Sequence, residues 1–360
     1  MTKGVRNKFG ILAWPAYATR SGNPYNYLIY SNIEKQGHHI YEFDFNIKNI
    51  FKFLLSNKYR IFHIHWPTNI LTYSTYIQAK RRVCLLKYFL VMIKLCGKKV
   101  VWTVHNLKGH ESEFPDLQNK LNKILYRYTN GFISLNKSGL SQIKQLASSK
   151  KHQKFAYIPH PLYTGYYPNE ISKDEARKIL NIPQDKFVFL FLGQIRRYKN
   201  ILNLINSFKE LKVDNKFLLI AGKAHEELID DILIAIQNQK NILFRNEFIA
   251  DKDLQIYLNA CNLIVAPYSN VFNSGSVFLN ISFNKPTLVP VNKTFTEIKE
   301  AINGNFIKLY DGEISENHLK ASMLNNDTEI SNTTILDQYS AEKIAEETLS
   351  FYKSLLYNKK

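Results

Sequence analysis

Short apolar runs rich in β-branched and aromatic residues alternate along the whole chain with longer stretches of helical spacing. That alternation constrains the fold more than any other feature. In the first half the runs cover residues 9–14, 39–45, 60–65, 99–105, 131–135 and 155–159, with helical spacing over 25–36, 73–95 and 117–128. The second half repeats the pattern, with runs at 187–192, 217–221, 242–244, 263–266, 287–290 and 306–310. Its helical stretches are 200–211, 226–237, 251–260 and 277–283, and Asp251 is the expected N-cap of the third. Continuous apolar strands that alternate with helices belong to parallel sheets covered on both faces. The expected class is therefore α/β, with two Rossmann-like, doubly wound domains facing across a cleft. Pro159, Pro161 and Pro168 mark a linker between them, because proline fits neither regular element. The expected divisions are residues 1–165, residues 166–335, and a C-terminal helix in 336–360 that crosses back to the first domain.

Charge narrows the partners without choosing one. Lys and Arg number 48 against 30 Asp and Glu, a formal charge of +18. Such a chain attracts polyanions: nucleic acid, anionic lipid or phosphorylated substrates. The alternative is a compositional bias toward Lys and Asn with no partner implied. Three cysteines exclude a disulfide scaffold and fit a reducing compartment. No apolar run reaches the roughly 18 residues of a membrane span, and the polar start lacks a signal-peptide core. A cytoplasmic protein is expected.

In doubly wound sheets ligands bind beyond the carboxyl ends of the strands, so the residues that follow strands are the informative ones. Gly193-Gln194-Ile195-Arg196-Arg197-Tyr198-Lys199-Asn200 follows a strongly apolar strand and opens a helix. A glycine there permits close backbone approach, and cations beside a helix N-terminus favour a diphosphate. A solvated basic turn is the plainer alternative. Asn273, Ser274, Gly275 and Ser276 stand in the same relation to another strand and another helix, and form either an anion nest or an ordinary cap. In the first half, His105 closes a strand with His110 and Glu111 just beyond. A histidine there either contacts a sugar hydroxyl, acts as an acid or base, or is a satisfied structural residue. His63 and His65 share one face of a strand, which makes a metal site conceivable, although no further ligand cluster lies near them in sequence. Gly22 and Asn23 lie in the first strand–helix loop, which fits neither G-x-G-x-x-G nor a P-loop.

This constellation resembles a GT-B glycosyltransferase of the family-four-like branch that builds bacterial surface polysaccharides, including exopolysaccharide mannosyl- and glucuronyltransferases. Gly193 to Asn200 is similar to the family's G-x-I-R-x-Y-K-G variant. Residues 103–111 are similar to its T-x-H-N strand end followed by His-Glu, and residues 273–290 to its N-S-G…S-F-G-K-P-V-x-x-P stretch. Thr296, Glu297 and Ile298, with Gly304 beyond, are similar to its P-E-I…G segment. The family's E-x7-E glutamates are missing: counting back from Pro286, those positions hold Val271 and Leu279.

The resemblance implies an acceptor-side first domain, a second domain that binds a nucleotide-diphosphate sugar, and hexose transfer to a lipid-linked or oligosaccharide acceptor. Gly193, Arg196, Lys199, Asn273, Ser274, Gly275 and Ser276 would hold the donor diphosphate. His105 would meet the sugar, Glu111 would be the base of an inverting reaction with Asp116 as another candidate, and Glu297 would touch the donor. Gly22 and Asn23 would line the donor/acceptor loop. No cofactor and no metal ion are expected beyond the nucleotide sugar itself. The segment Lys80-Arg81-Arg82, with its apolar continuation to Leu95 and then Lys98-Lys99, suits either an anionic membrane surface or a buried helix with basic ends. Peripheral attachment to the inner face of the plasma membrane is the expectation, and nucleic acid is not an expected partner. A nucleotide-sugar epimerase or hydrolase of the same architecture and a basic RNA-binding protein are the alternatives. The first lacks a recognisable carboxylate set and the second lacks aromatic–basic recognition motifs.

Overall fold

The computed structural model describes residues 8–44, 46–72, 75–107, 113–147, 152–268, 272–302, 306–324 and 336–357. The chain forms two compact units, residues 1–161 with 341–360, and residues 162–340. The unit boundary thus falls just after Pro161, four residues before the expected one, and the returning segment begins at Ala341.

The first unit holds a parallel sheet of β1 (Gly10–Trp14), β2 (His39–Glu42), β3 (Tyr59–Ile64), β4 (Lys99–Val104), β5 (Gly131–Ser134) and β6 (Lys154–Tyr157) in the order β2-β1-β3-β4-β5-β6. Around it lie α1 (Tyr25–Lys35), α2 (Ile47–Leu55), α3 (Tyr76–Leu95), α4 (Pro115–Tyr128) and α5 (Lys137–Leu146). The second unit contains α6 (Lys173–Leu180), β7 (Phe187–Leu192), α7 (Ile201–Glu210), β8 (Lys216–Ala221), α8 (Glu226–Ile236), β9 (Ile242–Arg245), α9 (Leu254–Ala260) and β10 (Leu263–Val265). It continues with α10 (Gly275–Ser282), β11 (Thr287–Pro290), α11 (Lys293–Ile302), β12 (Ile307–Tyr310) and α12 (Glu316–Leu324). Its six strands are also parallel, in the order β12-β11-β10-β7-β8-β9.

Each strand order reverses once. In the first sheet β1 lies between β2 and β3; in the second β7 lies between β10 and β8. These reversals are the topological switch points where loops diverge and leave a crevice for ligands. The anion-type segments after β7 and β10 therefore flank a single switch point.

One expected cap is corrected. Asp251 lies in a turn, α9 begins at Leu254, and Asp253 takes the N-cap position without a side-chain cap bond. The turn at 251–253 consumes the residues assigned to the helix start.

The last helix, α13 (Ala341–Leu356), packs on α1 and completes the first unit. Ile344, Ala345, Leu349, Tyr352 and Leu355 join one core with Ile11, Ala13, Tyr30, Ile33 and Ile133. Gly131 fits this contact because a Cβ there would stand 2.7 Å from Leu355 Cδ1 and 2.8 Å from Phe351 Cε1.

Candidate functional site

At the switch point of the second unit, Gly193 leaves β7 with φ +121°. Ile195 then pairs with Ala224, and a single turn of 3-10 helix (Arg197–Lys199) leads into α7. The basic motif divides by orientation. Arg197 faces solvent and pairs with Glu227 at 3.3 Å. Lys199 turns inward, its ammonium 5.0 Å from the centre of the Tyr268 ring. Burial lowers the Lys199 pKa, and the positive charge of Arg196 lowers it further. The Arg196 guanidinium donates to the carbonyls of Ile195 (2.9 Å) and Lys223 (3.4 Å). Neither Arg196 nor Lys199 has a carboxylate partner among the described residues.

The loop after β10 meets this turn through two contacts. Asn200, left-handed at φ 52°, donates from Nδ2 to the Pro267 carbonyl at 3.0 Å. Tyr268, whose ring carries the Lys199 contact, is buried and faces Ser276. Ser276 Oγ in turn lies 3.0 Å from Ser274 Oγ, and Ser274 is the N-cap residue of α10. Gly193, Arg196, Lys199, Ser274, Gly275 and Ser276 are thus gathered by Asn200 and Tyr268, neither of which stood out as a link in the sequence. Asn273 adjoins them. Thr294 of α11 donates to the Phe272 carbonyl at 3.2 Å, so the first turn of α11 abuts the same loop, with half-buried Glu297 one turn on.

The first unit carries a different cluster at the ends of β3 and β4. His63 and His65 do share a face, with ring centroids 4.2 Å apart, and hydroxyls lie beside both. Tyr30 Oη lies 2.8 Å from His63 Nδ1 and 2.6 Å from His65 Nε2. His63 Nε2 meets Thr103 Oγ1 at 2.8 Å, and Tyr352 Oη meets His63 Nδ1 at 2.5 Å. His65 Nδ1 reaches His105 Nε2 at 3.1 Å. The His105 ring stacks on Trp66 at 4.3 Å and receives the edge of Tyr25 at 4.9 Å. Tyr25 also touches His160. Desolvation pushes His63 down to about 3 and His160 to about 4, and holds His65 and His105 well below the ordinary histidine value. All four are neutral at pH 7. Among the described residues no group of three His, Cys, Asp or Glu is arranged to hold a metal ion.

The first loop has its own anchor. Glu42 accepts from the backbone N–H groups of Ala16, Tyr17 and Ala18 at 2.8, 2.7 and 3.0 Å. An internal carboxylate thereby fills this run of amides. Gly22 (φ +79°) and Asn23 remain exposed at the loop tip, and Asn23 Oδ1 accepts from Tyr25 N at 3.3 Å. Asp116 lies in the first turn of α4 and accepts from Tyr76 Oη at 2.7 Å. His110 and Glu111, like Val271 and Gly304, lie outside the described residues.

Comparison with known proteins fixes the class. Sucrose-phosphate synthase from Thermosynechococcus elongatus superposes with a TM-score of 0.70 at 14% identity, covering 97% of this chain and 99% of that one. An Anabaena HepE protein solved in complex with UDP gives 0.64 at 13% identity, covering 97% and 98%. The architecture is the GT-B fold. Residues 172–329 match the family Glycosyl transferases group 1. A GDP-mannose:glycolipid 4-beta-D-mannosyltransferase of Xanthomonas campestris pv. campestris is 24% identical over 260 residues, covering 72% of this chain and 69% of that protein. The chain is a glycosyltransferase of the GT-B fold, and its second unit carries the group 1 glycosyl transferase region.

Proposed function

We propose that this enzyme transfers a hexose from a nucleotide-diphosphate sugar to a lipid-linked saccharide in the building of a cell-surface polysaccharide, with mannose as the first donor sugar to test. The relative's glycolipid substrate and the UDP bound by the Anabaena neighbour support this reading. The observation that carries it is the inward Lys199 ammonium at the switch point, desolvated, beside Arg196 and without an acidic partner among the described residues. Removing an ammonium from water costs on the order of several kcal/mol, and an opposite charge offsets that cost. A diphosphate supplies the charge in the ligand. As the glycosidic bond breaks, negative charge grows on the leaving diphosphate. Arg196, Lys199 and the α10 N-terminal amides of Gly275 and Ser276 are preorganised to receive it, without calling on a metal ion. In the first unit His105 meets a sugar hydroxyl, and in the second Glu297 serves as a donor contact.

The acceptor's lipid leads to the membrane. Among the described residues no helix is long and apolar enough to cross one. Helices α2 and α3 contain seven Lys or Arg and no Asp or Glu. Both expose large apolar side chains: Phe51 and Leu55 on α2, Leu85, Tyr88 and Leu95 on α3. Cationic, apolar and free of acids, this pair suits an anionic bilayer surface.

The test is Lys199→Ala assayed with a panel of nucleotide sugars and a lipid-linked acceptor. We expect acceptor-dependent release of nucleoside diphosphate from the wild type. The variant should lose about 10²- to 10³-fold in kcat, the scale for one preorganised donor, with an unchanged thermal midpoint in the absence of ligand. Near-normal turnover would remove Lys199 from the site. Diphosphate release that ignores the acceptor would point to a hydrolase.

A further inference from the structure

Four side-chain amides converge on a groove at one edge of the second sheet, and the fold uses none of them. Asn181 closes α6 in the left-handed conformation at φ 56°, and Asn238 stands just beyond α8 at φ 64°. Asparagine tolerates that region because its short polar side chain avoids the crowding that a branched one would meet. Together with Gln239 and Asn241 these residues line a groove of about 770 Å³ beside β9, the outermost strand of its sheet.

A carboxamide carries two N–H donors and an acceptor oxygen. Elsewhere in this unit such groups are spent inside the fold: Asn200 on the Pro267 carbonyl, Gln255 on the Glu170 N–H, Asn259 on the Ile171 carbonyl and Asn280 on the Thr287 hydroxyl. The side-chain amides of the four groove residues bond no described residue. Lys186, Lys240 and Arg245 line the same groove, and among the described residues no Asp or Glu does. Lys186 donates to the Asp214 carbonyl at 3.0 Å and lies 3.9 Å from the exposed Asp185 carboxylate. Lys240 and Arg245 have no ion-pair partner among the described residues. The groove therefore sets neutral donors and acceptors along a cationic wall.

We propose that this groove is a binding site for an acidic saccharide chain, whose hydroxyls are held by the four carboxamides and whose carboxylates are held by Lys240 and Arg245. A sugar hydroxyl donates and accepts at once, and a carboxamide answers both roles in one plane. Arg245 grips a carboxylate through two parallel N–H bonds, and Lys240 adds a point charge. The volume falls within the roughly 300–1,000 Å³ of small-molecule sites and admits a short stretch of chain. The groove stands apart from the diphosphate turn. Residues 238–241 precede β9 and Lys186 precedes β7, at the amino ends of parallel strands, whereas Arg196 and Lys199 follow the carboxyl end of β7. A saccharide bound here leaves the donor turn open. This binding does not rest on the proposed transfer reaction, although an acidic acceptor or product of that reaction would be its natural occupant.

The experiment is titration calorimetry of the full-length protein with trigalacturonate, with maltotriose as the neutral trimer. Trigalacturonate should bind saturably, and more weakly as salt is added. Maltotriose should bind at least about tenfold more weakly, the scale of one charge-assisted hydrogen bond. Two double variants divide the groove: Lys240→Ala, Arg245→Ala removes charge, and Gln239→Ala, Asn241→Ala removes amides. Each should cost about tenfold in trigalacturonate affinity with a thermal midpoint near that of the wild type. Lys199→Ala should bind the acidic trimer as the wild type does, and a loss there would place the saccharide at the diphosphate turn and overturn the proposal. Equal affinity for the two trimers would overturn the preference for an acidic chain. Unaltered binding by the amide variant would reduce the groove to a patch of charge, and an absence of saturable binding would end the proposal outright.

Discussion

Gly222 shows how one hydrogen atom in place of a side chain shapes the proposed diphosphate turn. Its φ is +145°, and a Cβ there would stand 2.0 Å from the Gly193 carbonyl oxygen. Gly193 itself adopts φ +121°, with Lys199 Nζ 3.6 Å from where its own Cβ would lie. The two glycines let the ends of β7 and β8 pass at close range. Gly222→Ala must displace the Gly193 peptide, and the strained backbone adds about 1–3 kcal/mol. We expect a lower thermal midpoint and at least a tenfold loss of nucleoside diphosphate affinity by titration calorimetry. Unchanged affinity would mean that this turn does not hold the phosphates. Gly193 was legible in the sequence as a glycine closing an apolar strand. Gly222 was not, because its meaning lies in a contact with a residue on another strand. Tyr268 escaped for the same reason: its link between Lys199 and Ser276 is invisible until β7 and β10 are neighbours.

Among the elements, strands were more legible than helices. A parallel strand buried on both faces, such as β8, is a continuous apolar run, whereas the less buried β2, β6 and β9 were marked by their aromatic and β-branched residues. Helices α6 and α12 went unnoticed because each buries only a few side chains: Ala176, Arg177 and Leu180 on α6, Leu319 and Ser322 on α12. Helix α2 was missed because it is only nine residues long. The outer face of α3 is the more informative case. Helix α3 buries Val83, Leu86, Phe89, Leu90 and Ile93, yet leaves Leu85 62% and Leu95 75% exposed. An apolar helix with apolar residues on its outer face is suited to a lipid environment. The sequence left open whether this helix is buried or faces a membrane; the structure shows one face buried and the other exposed. For the double variant Leu85→Glu, Leu95→Glu we expect loss of cosedimentation with phosphatidylglycerol vesicles. The ability to turn over a water-soluble acceptor analogue should persist. Wild-type binding should weaken with added salt, since exposed charges are screened beyond about 10 Å at 0.1 M. Equal binding of variant and wild type would remove this face from the membrane reading.

At the scale of the whole molecule, the two units differ in how they hold their histidines, and this difference makes their acid stability separable. His63, His65, His105 and His160 are buried in the first unit, while His225 and His318 of the second are exposed or half-buried. Desolvation lowers the pKa of each buried ring below its unfolded value near 6.5. The sign follows from linkage. Between about pH 6.5 and the folded-state values, which are about 4 for His160 and about 3 for His63, the unfolded chain binds more protons than the folded one. Acid therefore favours unfolding, and stability falls as pH drops through that window. Above pH 6.5 both states are neutral at these rings and the effect vanishes. Calorimetry at pH 7.5 and 5.0 should show the transition of the first unit moving to lower temperature, with that of the second moving less. Because α13 supplies Leu349 to the core of the first unit, Leu349→Ala, at a cost of about 2–5 kcal/mol, should lower the same transition and so identify it. If the acid-sensitive transition is not the one that Leu349→Ala shifts, the buried imidazoles are not what couples this fold to pH.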